Sequence, residues 1–245
     1  MRLQKSWTIA KKDLKIYRKR RSLVAFTFLF PIVFAVALPL ILYHVITAKS
    51  VPPSIVVGLV SSFAFFFLII SALVPLYLTS YNLVGEKVEK SLEPLLATPT
   101  SDGEILIGKY IASFIPVIIG LWVGIFVFYS LIDVTTYKVI GYYYFPNYGS
   151  AILILIGMPL AMLYGISFGT LASSRASSVQ VAYQLGAASL LPFLVLYVLG
   201  EVQVISLSST ENILIISVFL LIATVGIYFM SKAAFNREKI LTLWK

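Results

Sequence analysis

The chain has 245 residues, 60% of them hydrophobic and only 12% charged, with a formal net charge of +9. A soluble domain carries about 25% charged residues, and a mean hydropathy of +0.96 excludes that class. With no cysteine, disulfides, thiol redox chemistry and cysteine-ligated zinc are excluded as well.

At the N-terminus, Leu3, Trp7, Ala10, Leu14 and Tyr17 recur at spacings of four, three, four and three, which puts them on one face of a helix. Lys5, Lys12 and Lys19 repeat every seven residues on another face. A basic amphipathic helix with a Trp on its apolar side suits the plane of a membrane interface. The pattern predicts such an interfacial helix over residues 1–22. A basic flank that only sets topology is the simpler alternative. The apolar stretch that follows, residues 23–46, exceeds the roughly 7–15 residues of a signal-peptide core. It reads as an uncleaved first span.

A helical span needs about 20 apolar residues. Six stretches qualify: 23–46, 54–80, 110–132, 149–173, 179–199 and 212–231. None holds Asp, Glu, Lys or Arg. Pro31, Pro39, Pro75, Pro116, Pro159 and Pro192 fall inside them, and membrane helices accommodate such kinks. The flanking charges set the orientation. Nine basic residues lie between Arg2 and Arg21; Lys87, Lys90, Lys109, Arg175, Lys232, Arg237, Lys239 and Lys245 fall on the same side, and only Lys49 and Lys138 on the other. The positive-inside rule then predicts an all-α integral membrane protein of six spans, with both termini cytoplasmic, in the cell membrane. The positions of the charges explain the net +9 without a nucleic-acid partner. One transmembrane domain over residues 1–245 is expected.

The connection between the second and third spans, residues 81–109, is the longest inner segment. It carries Glu86, Glu89, Glu93, Asp102 and Glu104, half the acidic residues of the chain. Ser101 followed by Glu104 is a capping box, predicting a helix that starts at Asp102 and runs into the third span. Upstream, Val88, Leu92 and Leu95 or Leu96 follow helical spacing and predict a short amphipathic helix over residues 86–97. Its apolar face needs lipid headgroups or a soluble partner to cover it, and a purely structural loop is the simpler reading. Gly103, Gly108 and Lys109 match the opening of a phosphate-binding loop, but position 110 is Tyr rather than Ser or Thr, and no strand precedes it. We reject a nucleotide site there.

The run GEKVEKSLEPLLATPTSDGEILIGKYIA resembles the cytoplasmic signature of the type-2 ATP-binding-cassette (ABC) permeases. The matching positions are Glu86, Lys87, Lys90, Ser91, Leu92, Glu93, Leu95, Leu96, Thr98 and Pro99. The rest of the chain agrees in layout. The resemblance implies a half-transporter: two six-span permease subunits, alike or different, working with two ATPase subunits that carry ATP and Mg²⁺. It implies that the inner loop holds a coupling helix, with Glu86, Leu92, Glu93, Leu95 and Leu96 in contact with the ATPase. The N-terminal helix would lie along the membrane near that ATPase. It also raises short re-entrant helices between the fifth and sixth spans, for which residues 200–211 leave little room.

Ion-coupled carriers keep acids, bases or His within their spans. Here only His44 approaches, near the outer end of the first span, where an interfacial role is the simpler reading. Energy for transport must then come from a partner. Gly120 and Gly124, and Gly165 and Gly169, have GxxxG spacing and predict tight helix packing within one subunit. The fifth span carries Gln180, Tyr183 and Gln184 beside Gly186, and is the candidate for a pathway-lining or dimer-facing helix. Tyr142, Tyr143, Tyr144, Phe145 and Tyr148 read as an aromatic belt at the outer interface, with a substrate-stacking site as the alternative. The leading expectation is a permease subunit of an ATP-driven exporter, with no cofactor or metal of its own. A membrane-embedded enzyme acting on lipid and a non-transporting anchor are the competing classes. The sequence names no substrate.

Overall fold

The computed structural model describes residues 3–48, 51–88, 100–176, 178–202 and 204–235; for residue 3 and residues 86–88 it describes the backbone alone. Most of these residues are helical, and the helices form one bundle. In chain order the elements are α1 (Leu3–Lys19), α2 (Arg21–Ala48), α3 (Pro53–Val88), α4 (Asp102–Ile140), α5 (Tyr148–Arg175), α6 (Val179–Ala188), α7 (Leu191–Glu201) and α8 (Thr210–Ala234). Helices α2, α3, α4, α5 and α8 are each long and apolar enough to cross a membrane.

The fifth predicted span is not one helix. Helices α6 and α7 meet at a bend of 42°. Pro192 explains the break: it lacks an N–H, so it sits in the first turn of α7, where no intrahelical donor is needed. The freed groups are satisfied locally. Ser189 Oγ donates to the Gly186 carbonyl at 2.6 Å, and Tyr164 of α5 donates its hydroxyl to the Ser189 carbonyl at 2.9 Å. The pair begins beside Val84 of α3, which clusters with Ala176 and Ala182. It ends beside Ser54 and Ile55 at the start of α3, which line a cavity together with Gly200.

The helices also outrun the apolar stretches. Helix α4 carries Glu104 and Lys109 near one end and Asp133 and Lys138 near the other. The predicted capping box is formed: Glu104 N–H donates to Ser101 Oγ at 3.3 Å, and Ser101 N–H donates to Glu104 Oε2 at 3.0 Å. Helix α5 opens a wide π turn over Leu153–Gly157. Pro159 follows directly and cannot continue the regular ladder.

Small residues set the helix pairs. A Cβ on Gly120 would lie 2.7 Å from the Thr27 carbonyl oxygen, and one on Gly124 would lie 2.9 Å from Pro31 Cβ, so α4 rests directly on α2. A Cβ on Gly165 would overlap the Ala72 carbonyl oxygen, and one on Gly169 would press on Leu76, so α5 rests on α3. Both GxxxG pairs thus pack within the subunit, as the spacing predicts. The largest apolar cluster, with Phe67, Phe128, Tyr129 and Ile125, fills the space between α2, α3, α4 and α5. A second, with Phe65, Leu68, Ala161 and Phe193, joins α3, α5, α7 and α8.

Candidate functional site

Two surfaces gather the chemistry-bearing residues. The first lies at the basic end of the bundle, where α1 packs along the start of α4. Gly108 has no side chain to hold the helices apart: a Cβ there would lie 2.7 Å from the Ser6 carbonyl oxygen and 2.8 Å from Ile9 Cβ. At the next residue, Lys109 Nζ donates to Asp13 Oδ2 at 3.4 Å, with side-chain exposures of 2% and 4%. The Gly-Lys pair that opens a phosphate-loop pattern therefore serves helix packing and a buried ion pair. Ile9, Leu83, Ile105, Leu106, Tyr110, Ile166 and Phe235 close the cluster beneath it. Tyr110 and Ser231 share a hydroxyl hydrogen bond of 2.9 Å, which ties α4 to α8. Arg20, between α1 and α2, lays its guanidinium 5.0 Å from the Tyr81 ring centre and donates to the Tyr81 hydroxyl.

The predicted apolar stripe of α1 divides. Ala10 and Tyr17 are buried against the bundle, with Ser6, Ile9 and Asp13 beside them. Burial pushes the Tyr17 phenol up from its ordinary pKa. Trp7 and Ile16 are exposed and Leu14 is half-buried. Lys11 Nζ sits 5.7 Å from the Trp7 ring centre. The side chain of Leu3 lies outside the described residues. The helical period found the helix and part of its buried face, Ala10 and Tyr17, but not Ser6 and Asp13, which face inward where periodicity expects apolar residues.

The inner loop leaves from this platform. Helix α3 runs unbroken to Val88, so position 86 falls within it. The side chain of Glu86, and all of Leu92, Glu93, Leu95 and Leu96, lie outside the described residues. The ends flanking that segment are held: Leu83 and Val84 are buried on one side, and Ser101 caps α4 on the other.

The second surface follows α2 and the bent pair. Phe26, Phe30 and Phe34 stand one turn apart on α2, with ring centres 5.0 Å apart at each step. Phe34 meets Phe66 at 5.1 Å, and Phe66 meets Tyr197 at 5.5 Å. At the other end Phe26 meets Tyr77 at 4.5 Å, and Tyr77 stacks on Tyr183 at 4.3 Å and 21°. Every ring in this column is half-buried. Its signal in the sequence was the i, i+4, i+8 recurrence of Phe26, Phe30 and Phe34; the links to α3 and the bent pair are tertiary.

The four candidate residues of α6 face two ways. Gly186 is buried on Leu76 of α3, and Tyr183 is in the aromatic column. Gln180 and Gln184, one turn apart, are both exposed, together with Ala187 and Ala188. An amide that meets only lipid costs about 1–3 kcal/mol by protein measurements.

At the far end the tyrosine cluster is not a uniform belt. Tyr142, Tyr143 and Tyr148 are exposed. Tyr144 turns inward and shares a 2.8 Å hydrogen bond with Ser61, and burial pushes its phenol up. Phe145 stacks on Tyr129 at 4.8 Å. Asp133 Oδ1 accepts the backbone N–H groups of Tyr144 at 2.8 Å and Phe145 at 3.2 Å, which fixes this inward turn. No group of three or more His, Asp or Glu side chains placed to hold a metal occurs among the described residues.

A family model described as ABC-2 family transporter protein matches residues 7–213 of the chain. No curated protein matches it.

Proposed function

The chain belongs to the ABC-2 transporter family and is a membrane-spanning permease subunit; we propose that it is one half of an exporter, paired with a second permease subunit and driven by separate ATPase subunits. The family match over residues 7–213 carries this reading. In it the bent pair α6–α7 counts as a single crossing, which makes six. Support comes from its two ends, which lie beside opposite ends of α3. An even number of crossings and the basic residues around α1 favour both termini in the cytoplasm.

ATP and Mg²⁺ would bind the partner ATPase. Residues Glu86, Leu92, Glu93, Leu95 and Leu96 would form the contact that receives its movement. The ion pair of Lys109 with Asp13 supports a route for that movement, because it ties the return of the loop to α1. Exposed Gln180 and Gln184 support a face of α6 turned toward a second subunit or a wet pathway, with the aromatic column beside it.

The test is co-purification with an ABC ATPase co-expressed from the same source, followed by substrate-stimulated ATP hydrolysis in vesicles. Leu95→Glu with Leu96→Glu should abolish recovery of the ATPase and leave membrane insertion intact. A complex that survives this change overturns the coupling assignment.

A further inference from the structure

At the far end of the bundle two cavities of opposite character share one wall. The first is an apolar groove of about 760 Å³ between α7 and α8. Leu191 and Val195 line it from α7, Ile215 and Phe219 from α8, and Asn212 stands as its polar residue. Such a volume falls within the roughly 300–1,000 Å³ of pockets that enclose a small molecule. A smaller space of about 70 Å³, lined by Tyr164, Phe193 and Leu220, continues it toward the bundle interior. The second cavity, of about 280 Å³, lies between the start of α3 and the segment joining α7 to α8. Ser54, Ser62, Ser206 and Ser208 line it. Ile205 lines both the groove and the serine pocket.

The joining segment is held in place. Val204 and Ile205 donate their N–H groups to the Leu199 carbonyl at 3.0 and 3.2 Å. Asn212 Nδ2 donates to the Ser206 carbonyl at 2.8 Å, and the hydroxyls of Ser206 and Ser208 are 2.9 Å apart. Gly200 takes the Leu207 side chain against its backbone. The partition between apolar and polar space is thus built into the fold.

We propose that the two cavities together form a binding site for one membrane lipid with a polyol headgroup: an acyl chain lies in the groove, and the head reaches past Ile205 into the serine pocket. The groove lies between α7 and α8, and with both helices in a bilayer the medium around it is hydrocarbon. The serine pocket sits where both α3 and α8 begin, at headgroup level. Among the described residues no Lys, Arg, Asp or Glu lines either cavity, and the polar side chains of the serine pocket are hydroxyls. Hydroxyls that both donate and accept suit a sugar or glycerol head. Ser62 is only 2% exposed, so its contact with that head would be largely screened from bulk water. The site requires only that α7 and α8 lie in a bilayer, and so stands or falls apart from the ATPase coupling.

The test is native mass spectrometry of the full chain released from nanodiscs. The nanodiscs hold phosphatidylcholine and a monoglucosyl diacylglycerol in equal amounts. The expected result is retention of one glucosyl lipid per chain, in about tenfold preference over phosphatidylcholine. Val195→Trp with Ile215→Trp fills the groove and should abolish retention of both lipids in protein that stays monodisperse. Ser206→Ala with Ser208→Ala, on the surface segment, should keep one lipid bound and erase the preference. Equal retention of the two lipids by the natural chain overturns the headgroup assignment. Undiminished retention by the filled variant overturns the site. If filling the groove breaks a dimer without changing lipid retention, the face belongs to a second copy and the proposal fails.

Discussion

Lys109, two turns into the helix that follows the inner loop, donates to Asp13 of the N-terminal helix at 3.4 Å, with both side chains almost wholly buried. Removing either side chain takes one charge from a buried ion pair, a loss of up to about 3–5 kcal/mol. Lys109→Met or Asp13→Asn should each lower the unfolding temperature in detergent and expose α1 to protease. The double replacement should recover part of the loss, because neither charge of the pair then has to be buried. Equal loss in the single and double variants would show that the pair contributes through shape and not charge.

Gly165 packs against the Ala72 backbone so closely that a single methyl overlaps the carbonyl oxygen. Gly165→Ala should force α3 and α5 apart and cost about 1–3 kcal/mol or more, as overpacked cores do. Gly226→Ala on α8, where a Cβ meets nothing within 4 Å, is the matched control. Yield and thermal stability of the two purified variants decide the point, and equal behaviour would contradict the close approach.

The two glutamines of α6 are exposed side by side. Gln180→Leu with Gln184→Leu leaves the fold and insertion unchanged, since neither side chain packs in the core. It should reduce ATP-driven flux several-fold in vesicles containing the ATPase, or weaken subunit pairing by cross-linking. Unaltered flux and pairing would place this face against lipid.

Asp133 organises the far-end turn through two backbone donors. Asp133→Ala leaves both half-buried N–H groups short of an acceptor, a loss below the roughly 1–3 kcal/mol of a fully buried group. Hydrogen exchange at Tyr144 and Phe145 should speed up, while exchange in α2 and α3 stays as it was. Unchanged exchange at those amides would assign the turn to the Tyr129–Phe145 stacking instead.

The aromatic column gives a quantitative check on tertiary packing. A double-mutant cycle on Tyr77 and Tyr183, each to Ala, should show coupling of about 0.5–1.5 kcal/mol. Additive losses would mean that the rings touch without interacting.

Much of this was legible in the residues themselves. The apolar stretches located α2, α3, α4, α5 and α8, because a bilayer span demands an uninterrupted run of side chains that can meet hydrocarbon. Ser101 and Glu104 announced the start of α4, since a capping box is a local hydrogen-bond pattern. The glycine spacings at 120/124 and 165/169 announced close packing. The break at Pro192 was less legible. Proline alone permits a kink, and the turn is completed by Tyr164, which lies 25 residues away in the chain.

The sequence alone determined that the chain is a bundle of membrane helices with one basic end, because hydropathy and charge act residue by residue. Only the tertiary structure decided which residues meet. It turned Asp13 and Ser6 inward against Lys109 and Gly108, linked Phe26 to Tyr183 through Tyr77, and set an apolar groove against a serine pocket at Ile205. Each of these joins residues distant along the chain, and their pairing depends on how the helices pack.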